Sequence, residues 1–233
     1  MEEVILKAVG LRKSFGGVRA LDGVDLEVRR GEYLAIVGPN GSGKTTLINA
    51  LTGFIRLDSG KILFLGREIT NLPPQRRVRL GIARSFQLPS AFWGLTVYEN
   101  VAIAVAAAKG ISLRRVEERE VRETLELFGL WEKRMYSLEK LSEGEKKLLD
   151  VALAAVSRPK LMLLDEPTSS VAADDKYRIM DSLASSLKSL GASAVFVEHD
   201  LDIVKKYASR VLVMAQGRVV AVAKPEDADR VEV

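Results

Sequence analysis

Glycines, one lysine and one threonine stand at fixed spacing in Gly38, Pro39, Asn40, Gly41, Ser42, Gly43, Lys44 and Thr45. Gly, four free positions, Gly, Lys, then Ser or Thr is a phosphate-cradling pattern. Glycine admits backbone angles and close approaches that a Cβ would block. Successive N–H groups can then converge on phosphate oxygens, helped by the positive end of a following helix. Lys44 is expected to reach the β- and γ-phosphates of a nucleoside triphosphate, and Thr45 to offer its hydroxyl to Mg²⁺. Thr46 completes the phosphate-binding set. A second candidate pair, Asp165 and Glu166, ends the apolar run Leu161, Met162, Leu163, Leu164. Asp165 is suited to holding Mg²⁺ through water, and Glu166 to orienting the attacking water.

These groups need rigid supports. Tyr33 to Val37 is apolar and partly β-branched, which predicts a buried strand before the glycine-rich loop, and Thr46 to Thr52 suits a helix after it. Residues 3–9 and 24–28 read as strands, with Leu11 to Gly17 as the turn between them. Lys61 to Leu65 is a further strand after the turn signal at Asp58, Ser59 and Gly60. From about Val97 to Val156 the pattern is helical. Val97 to Ala108 is alanine-rich, Ser112 is placed to cap a charged run ending near Phe128, and a third helix begins at Ser142 and stops before Pro159. Strand character returns at Leu161–Leu164, Ala194–Val197, Val211–Met214 and Arg218–Ala223. Helices lie between, one starting at Asp174 or Asp175 and one near Leu201–Tyr207. Apolar strands alternating with helices imply an α/β fold with a parallel sheet covered on both faces.

The 233 residues suffice for one substantial domain, and 47% hydrophobic with 28% charged content is ordinary for a globular protein. There is no cysteine and only one histidine, His199, so disulfides, thiolate chemistry and multi-histidine metal clusters are excluded. Val101 to Ala108 is the longest uncharged apolar run, well short of the roughly 20 residues of a membrane helix. The acidic start Met1, Glu2, Glu3 lacks the basic opening of a signal peptide, so a cytoplasmic location is expected. The net charge of +4 is spread among carboxylates, and no nucleic-acid partner is expected.

With the glycine-rich loop and the acidic pair in place, the chain resembles the ATPase domain of ABC transporters along essentially its whole length. The resemblance implies an α/β P-loop NTPase (RecA-like) core with a mixed sheet and an N-terminal antiparallel β part. It implies one domain over 1–233, with a helical sub-domain inserted at 88–156. Phe15 stands where the family keeps an aromatic ring against adenine; packing against the sheet is the other reading. Gln87 matches the glutamine that senses Mg²⁺ and the catalytic water. His199, after the strand Val195 to Val197, matches the histidine that contacts the γ-phosphate. Leu141, Ser142, Glu143, Gly144 and Glu145 stand where the family most often has Leu-Ser-Gly-Gly-Gln. There, Ser142 and Gly144 would complete the ATP site of a second subunit. Ser142 and Glu145 also form a capping-box pattern.

Departures accompany the match. A carboxylate near phosphate costs about 1 to 4 kcal/mol per charge pair, so Glu145 is expected to be neutralised by Lys146 or Lys147. Ala172 falls where the family usually has an aspartate that links the two ATP sites. Gly81 to Gln87, Leu95 to Asn100, Leu51 to Phe54 and Glu198 to Leu201 are similar to importer subunits for branched-chain amino acids. That resemblance implies ATP and Mg²⁺ as cofactors, with a second ATPase subunit and transmembrane permease subunits as partners. The chain would then lie on the inner face of the membrane. The partner surface is expected near Phe92, Trp93 and Leu95. A soluble ABC ATPase of a non-transport complex, and a regulatory subunit that binds ATP with weak hydrolysis, stay open as alternatives.

Overall fold

A computed structural model describes residues 3–85 and 91–228. The chain opens with two long antiparallel strands, β1 (Val4–Phe15) and β2 (Val18–Arg29), followed by β3 (Tyr33–Val37) and α1 (Lys44–Thr52). Next come β4 (Ser59–Phe64), β5 (Arg67–Glu68), α2 (Pro74–Leu80) and β6 (Ile82–Arg84). Three helices follow: α3 (Val97–Lys109), α4 (Glu118–Leu127) and α5 (Glu143–Ala155). The chain then alternates through β7 (Leu161–Asp165), α6 (Ala173–Ser189), β8 (Ser193–Val197) and α7 (Leu201–Tyr207), ending in β9 (Arg210–Ala215) and β10 (Arg218–Ala223).

These strands form two sheets, an antiparallel one ordered β2-β1-β4-β5 and a mixed one ordered β10-β9-β3-β8-β7-β6. In the second sheet only the β9/β10 edge pair is antiparallel. Its central strands are buried on both faces because alternate residues feed different cores. Leu34 and Ile36 of β3 and Leu161 and Leu163 of β7 pack with α1 and the antiparallel sheet. Ala35, Val37, Met162 and Leu164 face the other way, into a core shared with α3, α4, α5, α6 and α7. The helical segment and the sheet therefore pack as one hydrophobic body on that side.

Two elements differ from the sequence reading. The stretch Leu11 to Gly17 is not a turn: β1 runs on to Phe15, and the chain reverses only at Gly16 and Gly17. Gly10 takes φ 61° where the register shifts, so it makes a bulge and the strand continues. Pairing with β2 along its whole length overrides the charge of Arg12 and Lys13. Ser112 likewise caps only a single turn of 3-10 helix, Leu113–Arg115, with no side-chain bond, and α4 starts at Glu118. By contrast, α5 begins where Ser142 predicts.

Strand β6 and helix α2 had no strong periodic signal. Both are fixed by other elements, β6 by parallel pairing with β7 and α2 by the bonds its own Arg77 makes outside the helix. That side chain is only 1% exposed, and it donates hydrogen bonds to the carbonyls of Ala50, Leu51, Thr70 and Leu72 at 2.7–2.9 Å. It thereby closes the C-terminal end of α1, where carbonyls lack helical partners.

Candidate functional site

In this sheet β3, β8 and β7 are neighbours and all parallel, so their carboxyl ends lie side by side. The glycine-rich loop leaves β3, Glu198 and His199 leave β8, and Asp165 and Glu166 leave β7. That edge is where open α/β sheets bind ligands.

The loop is wedged against its own scaffold. A Cβ on Gly38 (φ 146°) would lie 2.1 Å from the Met214 carbonyl oxygen, and one on Gly43 (φ 102°) would lie 2.4 Å from the Ala20 carbonyl oxygen. The glycines at 38 and 43 are thus needed for packing against β9 and β2, beyond any approach to phosphate. Gly41 has open space around it and needs glycine only for φ 79°. Gly217 N–H donates to the Ser42 carbonyl at 3.0 Å, pinning the loop from the β9–β10 turn. Pro39, Asn40, Gly41 and Thr45 are exposed, and Thr46 is half-buried at the start of α1.

Lys44 is buried, and its ammonium donates to the Gly38 and Pro39 carbonyls at 2.7 and 2.9 Å. Burial pushes it below the ordinary lysine value, while the charges of Glu166 and Asp165 pull it back up. The Ser42 hydroxyl oxygen is buried and finds no hydrogen-bond partner among the described residues. An ammonium with a third N–H to give, an unsatisfied hydroxyl and a loop with no room for Cβ fit the phosphates of a nucleotide.

Asp165 is buried and accepts from Arg84 Nη2 at 2.8 Å; the same guanidinium reaches Asn49 of α1 through Nη1 at 2.5 Å. Glu166 has φ 50°, a left-handed backbone unusual for a residue with a side chain. Its Oε1 lies 3.2 Å from His199 Nε2. Glu198 is buried and accepts from the Thr168 N–H at 2.9 Å, the Thr168 hydroxyl at 2.8 Å and the His199 N–H at 3.2 Å. It ties the segment after Glu166 to the turn carrying His199. Among the described residues no group of three or more acidic or histidine side chains could cage a metal. Mg²⁺ commonly binds through one or two carboxylates together with substrate phosphates, which suits Asp165 and the Thr45 hydroxyl.

Gln87 lies outside the described residues. Phe15 sits at the tip of the β1–β2 hairpin, 51% exposed, with the Lys13 ammonium 5.4 Å from its ring centre. Ser142 is exposed at the start of α5, and among the described residues no hydrogen bond joins it or Gly144 to the glycine-rich loop. Gly144 is pressed on α6: a Cβ there would lie 2.8 Å from Ile179 Cδ1. Ser142 and Glu145 do form the expected capping box, each side chain bonding the other's N–H. The counter-charge of Glu145 was misread. Lys133 pairs with Glu145, Lys146 pairs with Glu143, and Lys147 turns to the Ser169 hydroxyl at 3.2 Å. Successive helical residues face different directions, so Lys146 and Lys147 point away from Glu145.

Sequence reasoning missed Arg84, Asn49, Glu198 and Lys147. Lys147 is a buried lysine held below the ordinary lysine value by burial, which Asp150, Glu166, Glu198 and Asp165 only partly offset. Only Glu198 had a legible signal, a carboxylate at a strand end beside His199.

Residues 21–169 match the family described as ABC transporter. The chain belongs to the ABC transporter ATPase family. This ABC ATPase is 40% identical to a probable branched-chain amino acid transport ATP-binding protein, LivG, of Archaeoglobus fulgidus, over 96% of this chain and 90% of that protein. It is 30% identical to the high-affinity branched-chain amino acid transport ATP-binding protein LivG of Salmonella typhimurium, over 97% and 94%. Among solved structures it resembles a nucleotide-free ATP-binding cassette from an ABC transporter, with a TM-score of 0.85 and 34% identity over 95% of this chain and 91% of that one. A second such cassette, in its ADP conformation, also gives 0.85, at 32% identity over 96% and 94%. The ABC ATPase binds and hydrolyses ATP. Among its described residues no helix is long and apolar enough to cross a membrane.

Proposed function

We propose that this chain drives import of branched-chain amino acids, hydrolysing Mg-ATP as one of two cassettes bound to permease subunits on the inner face of the membrane. One observation carries the chemistry. Lys44, Asp165, Glu166 and His199 meet where β3, β7 and β8 end together, and Lys44 feels the charge of both carboxylates. The cargo rests on the relatives named LivG.

In this reading the loop from Gly38 to Thr46 binds the phosphates, with Lys44 turned to the β- and γ-phosphates. Phe15 offers its ring to the base. Asp165, Thr45 and Gln87 would hold Mg²⁺, which would supply positive charge to the phosphoryl oxygens. Glu166 draws a proton from the attacking water, and His199 holds its carboxylate and contacts the γ-phosphate. Ser142 and Gly144 of one cassette close over the nucleotide of the other. Segment 88–156 acts as a sub-domain that moves on closure, although it shares a core with the sheet.

A cavity of about 650 Å³ between α2, β6, α3 and α5, lined among others by Gln75, Arg84, Ala104 and Leu153, gives a permease element a seat. The exposed Phe92 and Trp93 supply further apolar anchors.

Steady-state ATPase measurement on wild type and Glu166→Gln tests the chemistry. The variant is expected to lose about 100-fold or more, and an unchanged rate would remove Glu166 from the reaction. Uptake of labelled leucine and of spermidine into vesicles carrying the assembled transporter tests the cargo; spermidine uptake alone would overturn it.

A further inference from the structure

The amino end of α5 carries two carboxylates, Glu143 and Glu145. In the dimer proposed above, this end meets the γ-phosphate held by a second cassette. Two bare carboxylates there would repel it.

Each acid has its own lysine, and the two pairs differ in kind. Lys146 reaches Glu143 Oε1 at 2.7 Å from the same helix, and the Glu143 side chain is 56% exposed, so water screens that pair. The Glu145 side chain is only 12% exposed and is screened far less. Its counter-ion comes from elsewhere in the chain. Lys133 ends the 3-10 turn Trp131–Lys133 and delivers its ammonium to Glu145 Oε1.

That turn is well braced. Lys133 N–H donates to the Leu130 carbonyl at 3.0 Å, and Tyr136 N–H donates to the Lys133 carbonyl at 2.9 Å. The guanidinium carbons of Arg122 and Arg134 each lie 4.4 Å from the Trp131 ring centre. The other oxygen, Glu145 Oε2, takes the Ser142 N–H at 2.9 Å. Both oxygens of Glu145 are therefore engaged. Burial disfavours its ionised form, but Lys133 and Ser142 outweigh that and hold the carboxyl below the ordinary value.

We propose that Lys133 is a positioning residue of the composite ATP site, neutralising and holding Glu145 so that the end of α5 can accept the γ-phosphate of a second cassette. This rests on reading Ser142 as facing the opposite nucleotide. The need for Lys133 comes from the charge of Glu145, because a glutamine at that position would need no counter-ion.

A double-mutant cycle on the full chain tests it. All proteins carry Glu166→Gln to block turnover, and the readout is the ATP concentration giving half-maximal dimer by light scattering with Mg²⁺ present. Lys133→Met is expected to raise that midpoint by about tenfold or more, since it bares a buried charge near phosphate. In the Glu145→Gln background the same change is expected to shift it by less than about twofold. Lys133→Arg keeps the charge and is expected to stay within about twofold of the parent, which separates charge from folding.

An equal shift in both backgrounds would make Lys133 a structural support and overturn the proposal, as would no shift in either. If the parent stays monomeric at every ATP concentration, the dimer reading falls and this proposal with it. A dimer indifferent to Lys133 removes this proposal alone.

Discussion

Lys44 does two jobs that a single deletion separates. In this structure its ammonium closes the loop on the Gly38 and Pro39 carbonyls, and it sits within the field of Asp165 and Glu166. Lys44→Ala is expected to weaken Mg-ATP binding by about 10- to 100-fold, the range for losing a charged hydrogen bond. Titration with a fluorescent ATP analogue checks this. Binding as firm as wild type would mean that the lysine serves the loop and not the nucleotide. Glu166 shows the same economy at the backbone: φ 50° is unfavourable for a glutamate, and it places the carboxylate beside His199.

At the scale of elements, the carboxyl end of α1 depends on Arg77. Four carbonyls converge on one guanidinium that is wholly inside the protein, and burial lowers its pKa to about 10. Arg77→Met fills the space but takes the donor from the Leu51, Thr70 and Leu72 carbonyls, while Ala50 keeps the Gly53 N–H. A loss of about 3 kcal/mol or more is expected, read as a lower urea midpoint with an unchanged slope. Helices α3 and α5 share another device, a capping box closed by Glu99 and by Glu145.

Hydrogen bonds from the Thr96 N–H and hydroxyl hold Glu99 below its ordinary value, and Lys133 with Ser142 does the same for Glu145 against the cost of burial. A carboxyl lowered in the folded state gives stability that is complete above the unfolded value and fades as pH falls through the folded one. Acidification below about pH 4.5, the ordinary glutamate value, is therefore expected to weaken both caps. Thermal melts of Thr96→Ala and wild type check it: the gap, about 1 kcal/mol at neutral pH, should narrow in acid.

As a whole molecule, the chain carries the two groups assigned to the proposed composite site on separate surfaces. The nucleotide loop lies at the carboxyl edge of the parallel sheet, whereas Ser142 caps an exposed helix end with no bond to that loop. In the proposed dimer, Ser142 serves the nucleotide of the second molecule. Analytical ultracentrifugation of Glu166→Gln is expected to give a monomer without nucleotide and a dimer with Mg-ATP. A strict monomer in both conditions would end the two-cassette mechanism.

The local pattern alone was enough for the loop from Gly38 to Thr45, the apolar strand ending in Asp165, and the cap at Ser142, because each depends on neighbours a few residues away. It was also enough for the family. It misplaced the β1–β2 turn, since Gly10 breaks a strand only when no partner strand is present to absorb a bulge. Strand β6, the Arg84 bridge between Asn49 and Asp165, the grip of Glu198 on Thr168 and the pairing of Lys133 with Glu145 were decided by tertiary structure. All four join groups far apart in the chain, and no periodicity records which distant side chain will fill a buried electrostatic need.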